Sequence, residues 1–173
     1  MAAFSGLLSY GLISLAGNVP VWLPVPADVF RYAPGLLFGA LVLQMGTQGS
    51  GRRIALVLAS GLIWYLTFKA AGHLVMEYQA STLLACGVAG GLGAWLVSLV
   101  VRLLKPRRLS LLAMLMAFVT GTLGGCMIGQ ALLQPELFVL DQLLLVAGFV
   151  VWQLGVGGAM LLVDELGENE YHA

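Results

Sequence analysis

The chain has 173 residues, 60% of them hydrophobic and only 9% charged, with a mean hydropathy of +0.97 and a formal net charge of zero. A soluble domain carries about 25% charged residues to keep its surface wet, so this composition excludes a water-soluble globule and makes lipid the solvent for most of the surface. The zero net charge leaves no basic field for nucleic acid, and two cysteines, Cys86 and Cys126, are too few for a disulfide framework.

Crossing roughly 30 Å of hydrocarbon takes about 20 apolar residues. Read in chain order, the apolar stretches predict six helices, over about 3–17, 27–46, 53–72, 80–104, 110–133 and 138–163, followed by an acidic tail over 164–173. The fold class is therefore all-α: a polytopic transmembrane helical bundle forming one domain. Strands are excluded because runs such as IALVLASGLIWYLTF do not alternate in polarity, and an open strand edge cannot be satisfied in lipid.

The first helix has no Lys or Arg before its apolar run, so it lacks the basic start of a cleaved signal peptide and is expected to be retained. The segment after it, NVPVWLPVPADVFRYAP, holds Pro20, Pro24, Pro26 and Pro34 among Trp22, Phe30 and Tyr32. It reads as a stiff interfacial connector or as a lid over an outward-facing site. Pro26 suits the first turn of the second helix, and Pro34 is expected to kink that helix.

The third helix carries the most distinctive polar pattern. Tyr65, Lys69, His73 and Glu77 recur every fourth residue and share one helical face. Lys69 is about 24 Å along the helix from Arg53, near the membrane boundary, where its stem can snorkel. The stripe is either an interfacial helix end with charge pairs or part of a solute-binding cluster with Arg31 and Asp141. His73 and Glu77 are too few ligands for a metal, and without a second His in the membrane no haem or other cofactor is expected.

Small residues form the second pattern. Gly87 and Gly91 in the fourth helix, and Gly121, Gly125 and Gly129 in the fifth, recur at four-residue spacing, which lets helix backbones approach closely in lipid. They predict packing within the chain, or a seam for a homo-oligomer or another membrane subunit. Cys86 and Cys126 are equidistant from Pro106, at the centre of the connecting loop. They become neighbours at equal depth if the two glycine stripes face each other. The amides Gln44, Gln130 and Gln153 are expected to knit helices together.

No nucleotide-binding or nucleophile motif occurs, and the chain is expected not to be an enzyme. Six short helices, both ends on one side and a proline-rich first outer loop resemble, in size and topology, the substrate-binding subunits of energy-coupling-factor vitamin transporters. The resemblance does not extend to residues and implies no site. Two functions remain in view. One is a small-solute binding or transport subunit, with a small-molecule ligand held in an outward-facing polar pocket by Arg31, Tyr65, Lys69, His73, Glu77 and Asp141. The other is a non-catalytic accessory, scaffold or sensor subunit of a larger membrane complex.

Orientation follows from basic residues, which concentrate in cytoplasmic loops. Arg52, Arg53, Arg102, Lys105, Arg107 and Arg108 fall on one side, with only Arg31 and Lys69 on the other. Both termini are thus expected in the cytoplasm, with a bacterial inner membrane as the residence. In a chain freed of Cys86 and Cys126, Gly51→Cys should resist a membrane-impermeant maleimide in intact cells and Gln79→Cys should react. The reverse pattern would invert the topology.

Overall fold

A computed structural model describes residues 1–16, 27–43, 47, 49–104, 110–133 and 138–169. Among these the chain forms six α-helices and no strand: α1 Ala2–Ala16, α2 Ala27–Phe38, α3 Ser50–Tyr78, α4 Thr82–Leu104, α5 Leu111–Leu133 and α6 Phe138–Asn169. Four of them, α3, α4, α5 and the Leu140–Ala159 stretch of α6, are long and apolar enough to cross a membrane. The protein is a multi-pass membrane protein built as a helical bundle. The proline-rich connector with Trp22, the loop residues Lys105, Arg107 and Arg108, and Glu136 lie outside the described residues, as do the side chains of Asp28 and Arg31.

Each helix packs against its neighbours in the chain, and α6 closes on α1, so the six form a ring in sequence order. Opposite Ala2 of α1 and Val42 stands Gly157 of α6, which brings the chain's N-terminus to the end of the bundle that also carries Arg52, Arg53 and Arg102. At this basic end Arg53 Nε donates to the Thr47 carbonyl at 2.8 Å, and Thr47 Oγ1 donates back to the Leu43 carbonyl at 3.3 Å. These bonds fasten the chain leaving the second helix to the start of α3.

Several boundaries differ from expectation. The third helix, expected over 53–72, runs on to Tyr78, which carries the expected helical stripe through His73 and Glu77. It stops at Gln79, whose φ of 51° is left-handed, while the Ala80 N–H returns to the Leu74 carbonyl, a usual way to end a helix. The second helix, expected as one piece over 27–46, changes to a π-helical segment at Gly39–Leu43, one turn past Pro34. The expected tail over 164–173 begins as a continuation of α6 through Asn169.

Backbone proximity organises the packing. A Cβ built on Gly90 would lie 3.0 Å from Gly125 Cα, one on Gly129 2.9 Å from Leu83 Cα, and one on Gly121 2.5 Å from Ala94 Cβ. The glycine-bearing faces of α4 and α5 are therefore in direct contact. The same device recurs between α2 and α3, where Gly39 leaves no room beside Val57 Cα at 2.7 Å, and between α5 and α6, where Gly124 meets the Gly148 carbonyl at 2.7 Å.

At the first turns of α1 the link to α6 is polar. Gln153, fully buried, donates through Nε2 to Ser9 Oγ at 3.1 Å, and Ser9 Oγ donates to the Ser5 carbonyl at 2.7 Å. Tyr10 Oη donates to Gln142 Oε1 farther along the same pair. The expectation that Gln153 joins helices holds.

Gly125→Ala places its methyl against the Cys86 carbonyl and 3.2 Å from Gly87 Cα, atoms of a neighbouring backbone that cannot swing aside. It should destabilise the protein by about 1–3 kcal/mol, the usual range for overpacking. Gly72→Ala, with nothing within 4 Å of the added methyl, should be neutral or mildly stabilising. Thermal unfolding of both variants in one detergent provides the comparison.

Candidate functional site

One part of the ring's core is an aromatic cluster, continuous with aliphatic side chains such as Leu56, Val97, Val101 and Val156. Trp152 of α6 meets Phe38 of α2 edge-on at 5.3 Å and Trp64 of α3 at 5.5 Å, and Trp64 also contacts Phe149 at 5.3 Å. Trp152 Nε1 donates to the Gly90 carbonyl of α4 at 2.9 Å, across the ring. A buried indole needs such a partner, and Gly90 supplies it because no side chain shields its carbonyl.

Beside this cluster lies a cavity of about 80 Å³ between α3, α4, α5 and α6. Trp64, Phe68, Phe149 and Trp152 wall it, with Cys86 on the α4 side. It belongs to the half of the bundle away from the basic end, and its lining is almost wholly apolar. Phe68 is half exposed, so the cavity reaches the surface there.

None of the residues expected to bind solute lines this cavity. Lys69, His73 and Glu77 are exposed on α3, because the side of the helix turned to the bundle is that of Leu56, Ser60, Gly61 and Ala71. Tyr65 is half-buried and stacked on Tyr32 of α2, with ring centroids 4.3 Å apart, and Lys69 Nζ stands 5.7 Å from the Tyr65 centroid, within cation–π range. His73 meets Tyr78 edge-on at 5.6 Å. Arg31 lies on α2, with its side chain outside the described residues.

Asp141 differs from the rest of the set. It sits in the first turn of α6 and is only 8% exposed, and among the described residues neither carboxylate oxygen has a hydrogen-bond partner. The exposed N–H groups at a helix start favour a carboxylate by roughly 0.3–1 kcal/mol. Burying an ion costs several kcal/mol (~3–5 when its partner is missing), so the helix end alone does not compensate Asp141. Among the described residues no group of three or more His, Cys, Asp or Glu side chains converges as a metal centre would require.

The glycine stripes place the cysteines. A Cβ on Gly87 would meet Cys126 Sγ at 2.6 Å, and one on Gly129 would meet Cys86 Cβ at 3.0 Å. The two thiols are free and flank one contact between α4 and α5, as the symmetric hairpin predicts. Gly90 and the pair Gly35 and Gly39 are contact residues that the reading of the sequence passed over. The four-residue spacing of Gly35 and Gly39 was the available signal.

Compared with known proteins, the chain matches no family model, no curated protein and no solved structure.

Proposed function

We propose that this membrane protein binds, and carries or delivers, a small solute bearing a cationic group, with Asp141 as the anchor. The observation that supports the reading is the buried and unpartnered carboxylate of Asp141. Asp141 stands at the start of the candidate span Leu140–Ala159, and an ionisable residue within a span is costly and a functional candidate by default. A cation arriving at Asp141 offsets the desolvation cost that the protein alone leaves standing. Gln142, beside it in sequence, is tied to Tyr10 of α1, which holds the start of α6 in place.

The α3 stripe lies towards the same end of the bundle. In this reading Lys69, His73 and Glu77 meet the solute before Asp141 does, and Tyr65 holds Lys69 over its ring. Arg31 with Lys69 takes any anionic group the solute carries.

The accessory-subunit reading draws on a different feature. The membrane window of α3 is only 22% buried within the bundle, against 50% for α4. Its exposed Ile54, Leu58, Leu62 and Leu66 recur every fourth residue, a ridge that a neighbouring helix or lipid covers equally well. A native mass of one chain, with no companion, would remove this reading.

Thermal-shift measurements on the full chain in nanodiscs test the first. Among monovalent and divalent metal ions, simple amines and polyamines, at least one should raise the melting temperature, with about 2.7 kcal/mol of stabilisation at a hundred times its Kd. Asp141→Asn should abolish that shift without lowering the melting temperature of the unliganded protein. A shift retained by Asp141→Asn, or none with any cation, would overturn the assignment.

A further inference from the structure

We infer that Cys86 and Cys126 form a dithiol–disulfide couple, oxidised by a bilayer-soluble quinone that enters the cavity beside Cys86. The claim goes beyond solute binding and uses none of its residues.

Three observations converge on the pair. First, the thiols are adjacent across two different helices: Cys126 Sγ occupies the space beside Gly87, the residue next to Cys86, and lies 3.9 Å from the Leu83 carbonyl on the same turn. A disulfide needs Cα atoms roughly 4.4–6.8 Å apart. Ordinary helix pairs keep their axes 8–10 Å apart, and the missing side chains at Gly87, Gly90, Gly125 and Gly129 bring these two closer.

Second, Cys86 is a wall of the apolar cavity, whose remaining walls include Trp64, Phe68, Phe149 and Trp152. Such a surface admits a flat, apolar ring and offers nothing to a charged or strongly hydrated oxidant. Third, Cys86 is four residues into α4, about 6 Å along the helix. It lies shallow in the hydrocarbon, within reach of a ring whose carbonyls favour the interface and whose tail stays in lipid. A quinone is the class of lipid-soluble molecule that accepts two electrons and two protons together.

The chemistry balances without another reactant. Cys86 Sγ adds to a quinone carbonyl carbon, and its thiol proton passes to that carbonyl's oxygen. Cys126 Sγ then attacks Cys86 Sγ. The S–S bond forms, the sulfur–carbon bond breaks, and its electron pair enters the ring. The second thiol proton ends on the other oxygen, so the dithiol is oxidised to a disulfide and the quinone reduced to hydroquinone. Cys86 attacks first because it faces the cavity, and Cys126 resolves the adduct from within the helix contact. The product bond ties α4 to α5.

The test uses the full chain, reduced and reconstituted in nanodiscs, with a short-tailed benzoquinone. One hydroquinone should form per chain, both thiols should become unreactive to maleimide, and mass spectrometry should find one intrachain disulfide. Cys86→Ser and Cys126→Ser should each form no intrachain bond and should not release stoichiometric hydroquinone. Ala89→Leu, which fills the cavity wall, should slow oxidation by quinone at least tenfold while leaving oxidation by the small water-soluble oxidant diamide unchanged. Thiols that survive quinone but yield to diamide would overturn the quinone assignment. Thiols that survive both would overturn the couple itself. Equal slowing of both oxidants by Ala89→Leu, or of neither, would overturn the route through the cavity.

Discussion

Two helices in hydrocarbon gain nothing by hiding leucines from one another, since lipid tails are as apolar as the side chains. What holds α4 to α5 is distance: backbone atoms brought within van der Waals contact because Gly87, Gly90, Gly121, Gly125 and Gly129 have no side chains to keep them apart. The rest of the bundle leans on that contact. With α4 and α5 fused along their length, the Gly90 carbonyl faces the ring interior and can receive Trp152. The two cysteines are brought to the same helix contact, and the wall of the cavity is fixed. The α2–α3 and α5–α6 contacts repeat the arrangement on a smaller scale.

The aromatic cluster has the complementary role. Phe38, Trp64, Phe149 and Trp152 reach one another across the ring, beside aliphatic core residues such as Leu56, Val97, Val101 and Val156. The fill is incomplete: indole and phenyl rings at tilted and edge-on angles leave the cavity beside Cys86. With walls this apolar, the gap offers water too few partners to occupy it stably.

Much of the architecture was legible because the bilayer restricts the alternatives. Runs of about 20 apolar residues had to be helices, and the arginines between them set which ends lie together. Equal spacing from Pro106 put Cys86 and Cys126 at one depth, and the facing glycine stripes brought them to one contact. The direction in which each helix faces was not legible in the same way. A soluble helix shows its buried side by being apolar there and polar elsewhere. A helix between lipid and a lipid-like core is apolar all round, so the periodicity that would orient it vanishes. That is why the four-residue pattern of Tyr65, Lys69, His73 and Glu77 gave their common face but not its outward direction. It is also why Trp64 and Trp152, drawn together from distant parts of the chain, carried no mark of their meeting. Asp141 stood out as an acidic residue at a helix start, but its burial comes from the helices packed around it.

The ring order also bears on how the molecule is made. Helices α1 to α6 emerge in the order in which they pack, so each arriving helix finds its partner already in the membrane, and most contacts form between near neighbours in the chain. α1 is the exception. Its hydroxyl-bearing face, with Ser5 and Ser9, has α2 beside it early but waits in the bilayer for Gln153 until α6 arrives. Among these six helices the ring is therefore closed by a polar contact, and the hydroxyls of α1 are the groups left longest without the partner that buries them.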